Sequence, residues 1–65
     1  MKVHTTNGKV IAGLRAELIK YVIKRDCISR PGHYVSKVGV MIVDFDLNDD
    51  GTCTLRKLKQ EKQKG

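Results

Sequence analysis

The second half of the chain contains the run YVSKVGVMIVDF, residues 34–45. The run is rich in β-branched and other apolar side chains, which favour β-strands. Over much of its length apolar residues occupy both alternating positions, as in a strand that is covered on both faces. The sequence therefore predicts one long strand here, in the centre of a sheet.

A polar turn and a second strand follow this run. The turn is Asn48-Asp49-Asp50-Gly51, in which glycine supplies a positive φ. Residues 52–58 then return as a strand that places Cys53 and Leu55 on one face. We therefore expect the strands 35–45 and 52–59 to pair, and residues 60–65 to form a basic tail without regular structure.

A turn around Pro31 separates this extended half from a helical first half. Residues 9–25 have the apolar spacing of a helix, and Ile19 and Ile23 widen its apolar face. A helix that is apolar around much of its circumference requires burial on more than one side, which favours a homodimer. The apolar face contains Val10, Ile11, Leu14, Leu18, Tyr21 and Val22.

The start of this helix has an alternative interpretation. Asn7-Gly8 is a strong hairpin signal, so residues 3–6 can pair with residues 9–12, and the helix then begins near Leu14. Gly13 inside a helix costs about 1 kcal/mol relative to alanine, which supports the hairpin. We favour the long helix because Val10 and Ile11 extend its apolar face. Residues 2–5 are then a candidate edge strand.

These patterns define the expected fold. A chain of 65 residues has room for one small domain, residues 1–65, which buries about 60% of the surface that its unfolded form exposes. We expect an α+β fold in which one amphipathic helix packs on a small antiparallel sheet of two to four strands.

The charge of the chain is its strongest functional signal. The net charge is +6, and four aspartates within residues 44–50 separate two basic segments. An array of cations attracts nucleic-acid phosphates through charge and counterion release, although a basic surface can also serve solubility alone. Tyr34 is a candidate for stacking on a base. The candidate phosphate-binding residues are Lys20, Lys24, Arg30, Lys37, Arg56, Lys57 and Lys59.

The acidic segment resembles part of the EF-hand calcium loop. Asp46, Asn48 and Asp50 occupy loop positions 1, 3 and 5, and Gly51 occupies position 6. Position 12 is Lys57, where that loop needs a bidentate glutamate, and the preceding residues favour a strand instead of a helix. We therefore predict a hairpin turn, with weak calcium binding as the alternative.

The other candidate sites have weaker patterns. Cys27, Cys53, His4 and His33 lack the local spacing of a zinc site. A Cys27–His33 dyad has no identifiable third group, and glycine-rich phosphate loops are missing from the sequence. We therefore expect no enzyme activity, no metal and no cofactor.

The N-terminal residues lack the apolar region of a signal peptide. The apolar stretch 10–23 is interrupted by charges and is too short to span a bilayer. We therefore expect a cytoplasmic protein with free thiols and no membrane contact.

The predicted function is that of a small basic non-enzymatic protein that contacts nucleic-acid phosphates with little sequence specificity. The alternative is a protein–protein interaction module or inhibitor, with a homodimer formed through the apolar helix. In that alternative Ile19 and Ile23 are the exposed anchors.

Overall fold

The computed structural model describes residues 1–61, and within them one helix packs on a five-stranded sheet. The α+β class is confirmed, but the sheet has five strands where the sequence predicted two to four. The spatial order of the strands is β2-β1-β5-β4-β3. The elements are β1 (Val3–Thr5), β2 (Val10–Ile11), α1 (Leu14–Arg25), β3 (Gly32–Val38), β4 (Met41–Leu47) and β5 (Cys53–Gln60).

The sheet is mixed because β1 and β5, which lie side by side, run parallel. β1 pairs with β5 in parallel, with Val3 opposite Cys53, and on its other side it pairs antiparallel with β2. The prediction of an antiparallel sheet with residues 2–5 at the edge was therefore wrong. A parallel pair needs a long crossover connection, and here α1 and the strands β3 and β4 lie between the two partners in the chain.

The N-terminal residues form the hairpin that was the alternative to a long helix. Its turn is closed by the Thr5 N–H, which donates to the Lys9 carbonyl at 2.8 Å, and the Gly8 N–H, which donates to the Thr5 carbonyl at 2.9 Å. Gly13 then has φ 79° and ψ −146°, a conformation outside the helical range. The predicted start of the helix at residue 9 was wrong, because α1 begins only after this glycine, whereas residues 14–25 of the predicted helix are confirmed.

The run 34–45 forms two strands instead of one. Val38 pairs with Met41 across a two-residue turn in which Gly39 has φ 59°. Glycine at the first central position is typical of the type II′ hairpin turn, whose twist matches that of the flanking strands. The prediction of a continuous strand was wrong because the apolar run continues through the turn, and only Gly39 marks the break.

The core lies between α1 and one face of the sheet. The helix buries Ala16, Ile19 and Val22, so the side of α1 that carries Leu14 and Tyr21 faces solvent. Ile19 is fully buried, so it is not the exposed anchor that the alternative function required. Ile23, the other proposed anchor, is partly buried against the core. Cys53 and Leu55 share one face of β5, as predicted, and both are buried. The sheet contributes Val3, Val43, Phe45, Cys53 and Leu55.

The turn between β4 and β5 lies where the sequence predicted it. Gly51 N–H donates to the Asn48 carbonyl at 3.1 Å, and the Thr52 N–H and hydroxyl donate to the Asp50 carboxylate at 3.0 and 2.6 Å. The predicted tail begins within β5, because Gln60 is its last residue and the Glu61 N–H donates to the Val40 carbonyl. Residues 62–65 lie outside the described residues.

We expect Gly13→Ala to lower the free energy of unfolding by about 1–3 kcal/mol, since the backbone conformation at this position is nearly confined to glycine. Urea denaturation measures this change, and the exposed Arg15→Ala serves as a control with an expected effect within about 0.5 kcal/mol. A stabilisation of about 1 kcal/mol by Gly13→Ala would instead indicate a continuous helix through this residue.

The Asp50 carboxyl makes stability depend on pH. The hydrogen bonds from the Thr52 side chain and backbone lower the pKa of Asp50 from its usual value. A carboxyl with a lowered pKa stabilises the fold above its unfolded pKa, and this contribution is lost as the pH falls through the folded pKa. We therefore expect the free energy of unfolding to decrease below about pH 4, and to decrease less steeply in Asp50→Asn. Asp49→Asn is the control, and an equal change of slope in both variants would contradict the assignment.

Candidate nucleic-acid interface

The face of the sheet opposite α1 has no element packed on it among residues 1–61, and we call it the open face. Its members are the residues that alternate along each strand with the core residues, so the strand register identifies them. Val35, in the middle of β3, is 59% exposed there. The open face contains His4, Val10, His33, Val35, Lys37, Ile42, Asp44, Asp46, Thr54, Lys57 and Lys59.

Three predicted lysines lie close together on the open face. Lys37 and Lys59 flank Ile42 from β3 and β5, so they are two strand spacings apart, about 10 Å. Lys57 precedes Lys59 by two residues, about 7 Å along the same strand. All three side chains are exposed. We call Lys37, Lys57 and Lys59 the basic end of the open face.

Arg56 reaches the same face through an irregularity in the sheet. Asp44 pairs with Lys57 and Phe45 pairs with Leu55, so Arg56 has no partner residue on β4 and occupies a β-bulge. Its guanidinium donates to the Asp46 carboxylate at 3.2 Å. Arg56 is therefore on the open face but next to an acidic partner.

The other three predicted residues lie elsewhere. Lys20 and Lys24 are exposed on the outer side of α1, across the sheet from the open face, and Lys20 has Glu17 as an ion-pair partner at 3.7 Å. Arg30 lies in the connection before β3, where its carbonyl accepts the Tyr34 hydroxyl. The structure thus brings together four of the seven predicted residues and leaves three apart.

Acidic side chains share the open face with the lysines. Asp44 contacts His33, Asp46 accepts the hydrogen bond of Arg56, and Lys37 has Glu61 as an ion-pair partner. Lys57 and Lys59 form no ion pair within residues 1–61. Exposed ion pairs contribute at most about 1 kcal/mol, so a phosphate can compete for Lys37.

The spacing of Asp44 and Asp46 is the sequence signal for this mixture of charges. Asp44 and Asp46 are two residues apart in a strand, and this spacing alone places them on one face. The sequence alone does not show that β3 and β5 bring Lys37, Lys57 and His33 to the same face as these aspartates. The open face therefore has a basic end near the β3–β4 turn and an acidic end near the β4–β5 turn.

The strand that carries Lys57 and Lys59 is open on one side. β1 pairs only with Cys53, Thr54 and Leu55 of β5, and the rest of β5 has no strand beside it on that side within residues 1–61. Backbone N–H groups often contact phosphate oxygens in nucleic-acid complexes. The basic end thus combines exposed ammonium groups with an accessible strand edge.

The tyrosine and phenylalanine rings lie away from the open face. Tyr34 stacks on Phe45, with ring centroids 5.8 Å apart, and its hydroxyl donates to the Arg30 carbonyl at 2.6 Å. Both rings are on the core side of the sheet, because Tyr34 pairs with the buried Phe45. Tyr21 lies on α1 beneath the Arg25 guanidinium. Tyr34, the candidate for stacking on a base, therefore lies on the opposite side of the sheet from the basic end.

The calcium and zinc hypotheses gain no geometric support. Asn48 donates its amide to the Thr52 and Thr54 hydroxyls at 2.9 and 3.1 Å, and strands flank the loop where an EF-hand has helices. Within residues 1–61 no three His, Cys, Asp or Glu side chains are grouped to hold a metal ion. Cys27 is an exposed free thiol and Cys53 a buried one, and burial raises the pKa of Cys53.

Comparisons with known protein families, curated proteins and solved structures give no match for this chain. Among residues 1–61 no helix has both the length and the apolar character needed to cross a membrane.

Proposed function

We propose that this chain is a small non-enzymatic protein that binds nucleic-acid phosphates through the basic end of the open face, with little sequence specificity. The observation that carries the proposal is the position of Lys57 and Lys59. Both are exposed on one face of β5, and neither has an ion-pair partner within residues 1–61. A cytoplasmic location is part of the proposal.

The physical basis is electrostatic. Each lysine that neutralises a phosphate releases a condensed counterion, which favours binding and makes it depend steeply on salt. The strands hold the three lysines of the basic end at fixed spacings, so little backbone order has to be gained on binding. The overall charge of +6 adds long-range attraction.

The acidic end restricts where the nucleic acid can lie. Asp46 and the turn residues Asp49 and Asp50 repel phosphates, so the polyanion should cross the basic end without running the length of the open face. The surroundings of the lysines offer little for reading bases. Lys37 and Lys59 both lie opposite the apolar Ile42, and Lys57 lies opposite Asp44, which already contacts His33. Low sequence specificity follows from this composition.

The double variant Lys57→Ala/Lys59→Ala tests the site. We expect the slope of log affinity against log salt concentration to become shallower by about 2, because about one unit is lost for each phosphate-contacting lysine. Fluorescence anisotropy with a labelled DNA duplex at several salt concentrations measures this slope.

The matched control is Lys20→Ala/Lys24→Ala, which removes the same charge from the outer side of α1. We expect its salt slope to equal that of the unmodified protein. Equal losses in both double variants would show that net charge alone drives binding and would contradict the proposed site.

The second candidate function is protein interaction. The observation that favours it is an open depression of about 540 Å³ between the β1–β2 hairpin and the start of α1. Val10 and Leu14, which are 64% and 78% exposed, line this depression. Exposed apolar side chains that are grouped in this way are typical of contact surfaces.

Sedimentation velocity tests the homodimer form of this candidate. If a second copy covers Leu14, the protein should sediment as a concentration-dependent dimer, and Leu14→Gln should shift it to monomer. A monomer over the whole accessible concentration range would reject the homodimer.

A further inference from the structure

We infer that the basic end of the open face binds double-stranded nucleic acid in preference to single strands. This inference rests on the proposed function and names the substrate class of the same site. The observations behind it are the positions of the tyrosine and phenylalanine rings and the fixed spacing of three lysines on two strands.

Single-strand binding surfaces depend on aromatic side chains on which unpaired bases stack. This chain has two tyrosines, one phenylalanine and no tryptophan, and the structure describes all three rings. Tyr34 and Phe45 stack on the core side of the sheet, and Tyr21 lies on the helix. An unpaired base that approached the basic end would therefore find no tyrosine or phenylalanine ring to stack on, and the exposed His33 imidazole of the open face lies at the acidic end, in contact with Asp44.

The spacing of the three lysines suits the dense phosphate charge of a duplex. A duplex carries one negative charge per about 1.7 Å of axis, roughly twice the linear density of one of its strands, and its counterion release per contact is larger. Lys57 and Lys59 lie along one strand, and Lys37 lies about 10 Å across the sheet from Lys59. A fixed two-dimensional array of cations suits a rigid phosphate surface better than a flexible chain, which would have to be ordered on binding.

The chemistry that this site recognises is the phosphate surface of a duplex, which DNA and RNA both present. The basic end has no described feature that selects a base edge, so the preference should hold for any sequence. A DNA duplex and an RNA duplex of the same sequence therefore form separate arms of the test.

The experiment compares four fluorescent probes by anisotropy at 50 mM salt: a 20-base-pair DNA duplex, each of its separated strands, and the matching RNA duplex. We expect at least one duplex to bind about tenfold or more tightly than either separated strand. Lys57→Ala/Lys59→Ala should reduce duplex affinity, and Lys20→Ala/Lys24→Ala should leave the preference for the duplex unchanged.

Two results would overturn the inference, and they are distinguishable. In the first result, the separated strands bind as tightly as both duplexes, and Lys57→Ala/Lys59→Ala lowers the affinity for strands and duplexes equally. This result would contradict the duplex preference but would still support the proposed phosphate site. If both double variants weakened the binding of every probe equally, the proposed site itself would be contradicted. Circular dichroism of each variant checks that the fold is retained.

Discussion

The structure depends on one constraint: within the described residues, a single helix of 12 residues covers only one face of the sheet. Such a helix is about 18 Å long. Ile19 and Val22 of α1 and Val43 and Phe45 of β4 are fully buried between the two layers. The alternate residues of the same strands, such as Asp44, therefore face away from the core.

This one-sided packing explains where the charges lie. Burial of an unpaired charge is costly, so a strand with one covered face carries its charged residues on the other. Lys57 and Lys59 follow this rule on β5, and Lys37 follows it on β3. The shared surface of these lysines is thus a consequence of the core, and the candidate site follows from it.

The short parallel pairing of β1 with β5 leaves the strand edge accessible at the candidate site. β1 covers only the start of β5, from Cys53 to Leu55, and the bulge at Arg56 follows directly. The part of β5 that carries Lys57 and Lys59 extends beyond this contact, and its edge is open within the described residues. A longer β1 would have enclosed the edge of the strand where we place phosphate binding.

The sequence predicted the parts of the fold that local patterns determine. Pro31 marks the boundary between the helical and extended halves, the turn at Asn48–Gly51 was placed correctly, and the alternation of Cys53 and Leu55 identified a core face. The pairing of Val3 with Cys53 joins residues that are far apart in the chain, and no local pattern predicts it. For the site, the spacing of Lys57 and Lys59 predicts a shared face, whereas only the hairpin at Gly39 brings Lys37 to them.

A soluble paramagnetic agent, followed by NMR of the valine methyl groups in dilute protein, tests the one-sided sheet most directly. Val35 and Val43 lie on neighbouring strands and face opposite sides, with exposures of 59% and 0%. The account predicts strong relaxation of the Val35 methyl signals and little change at Val43. Equal protection of both valines would show that the second face is covered and would contradict the account.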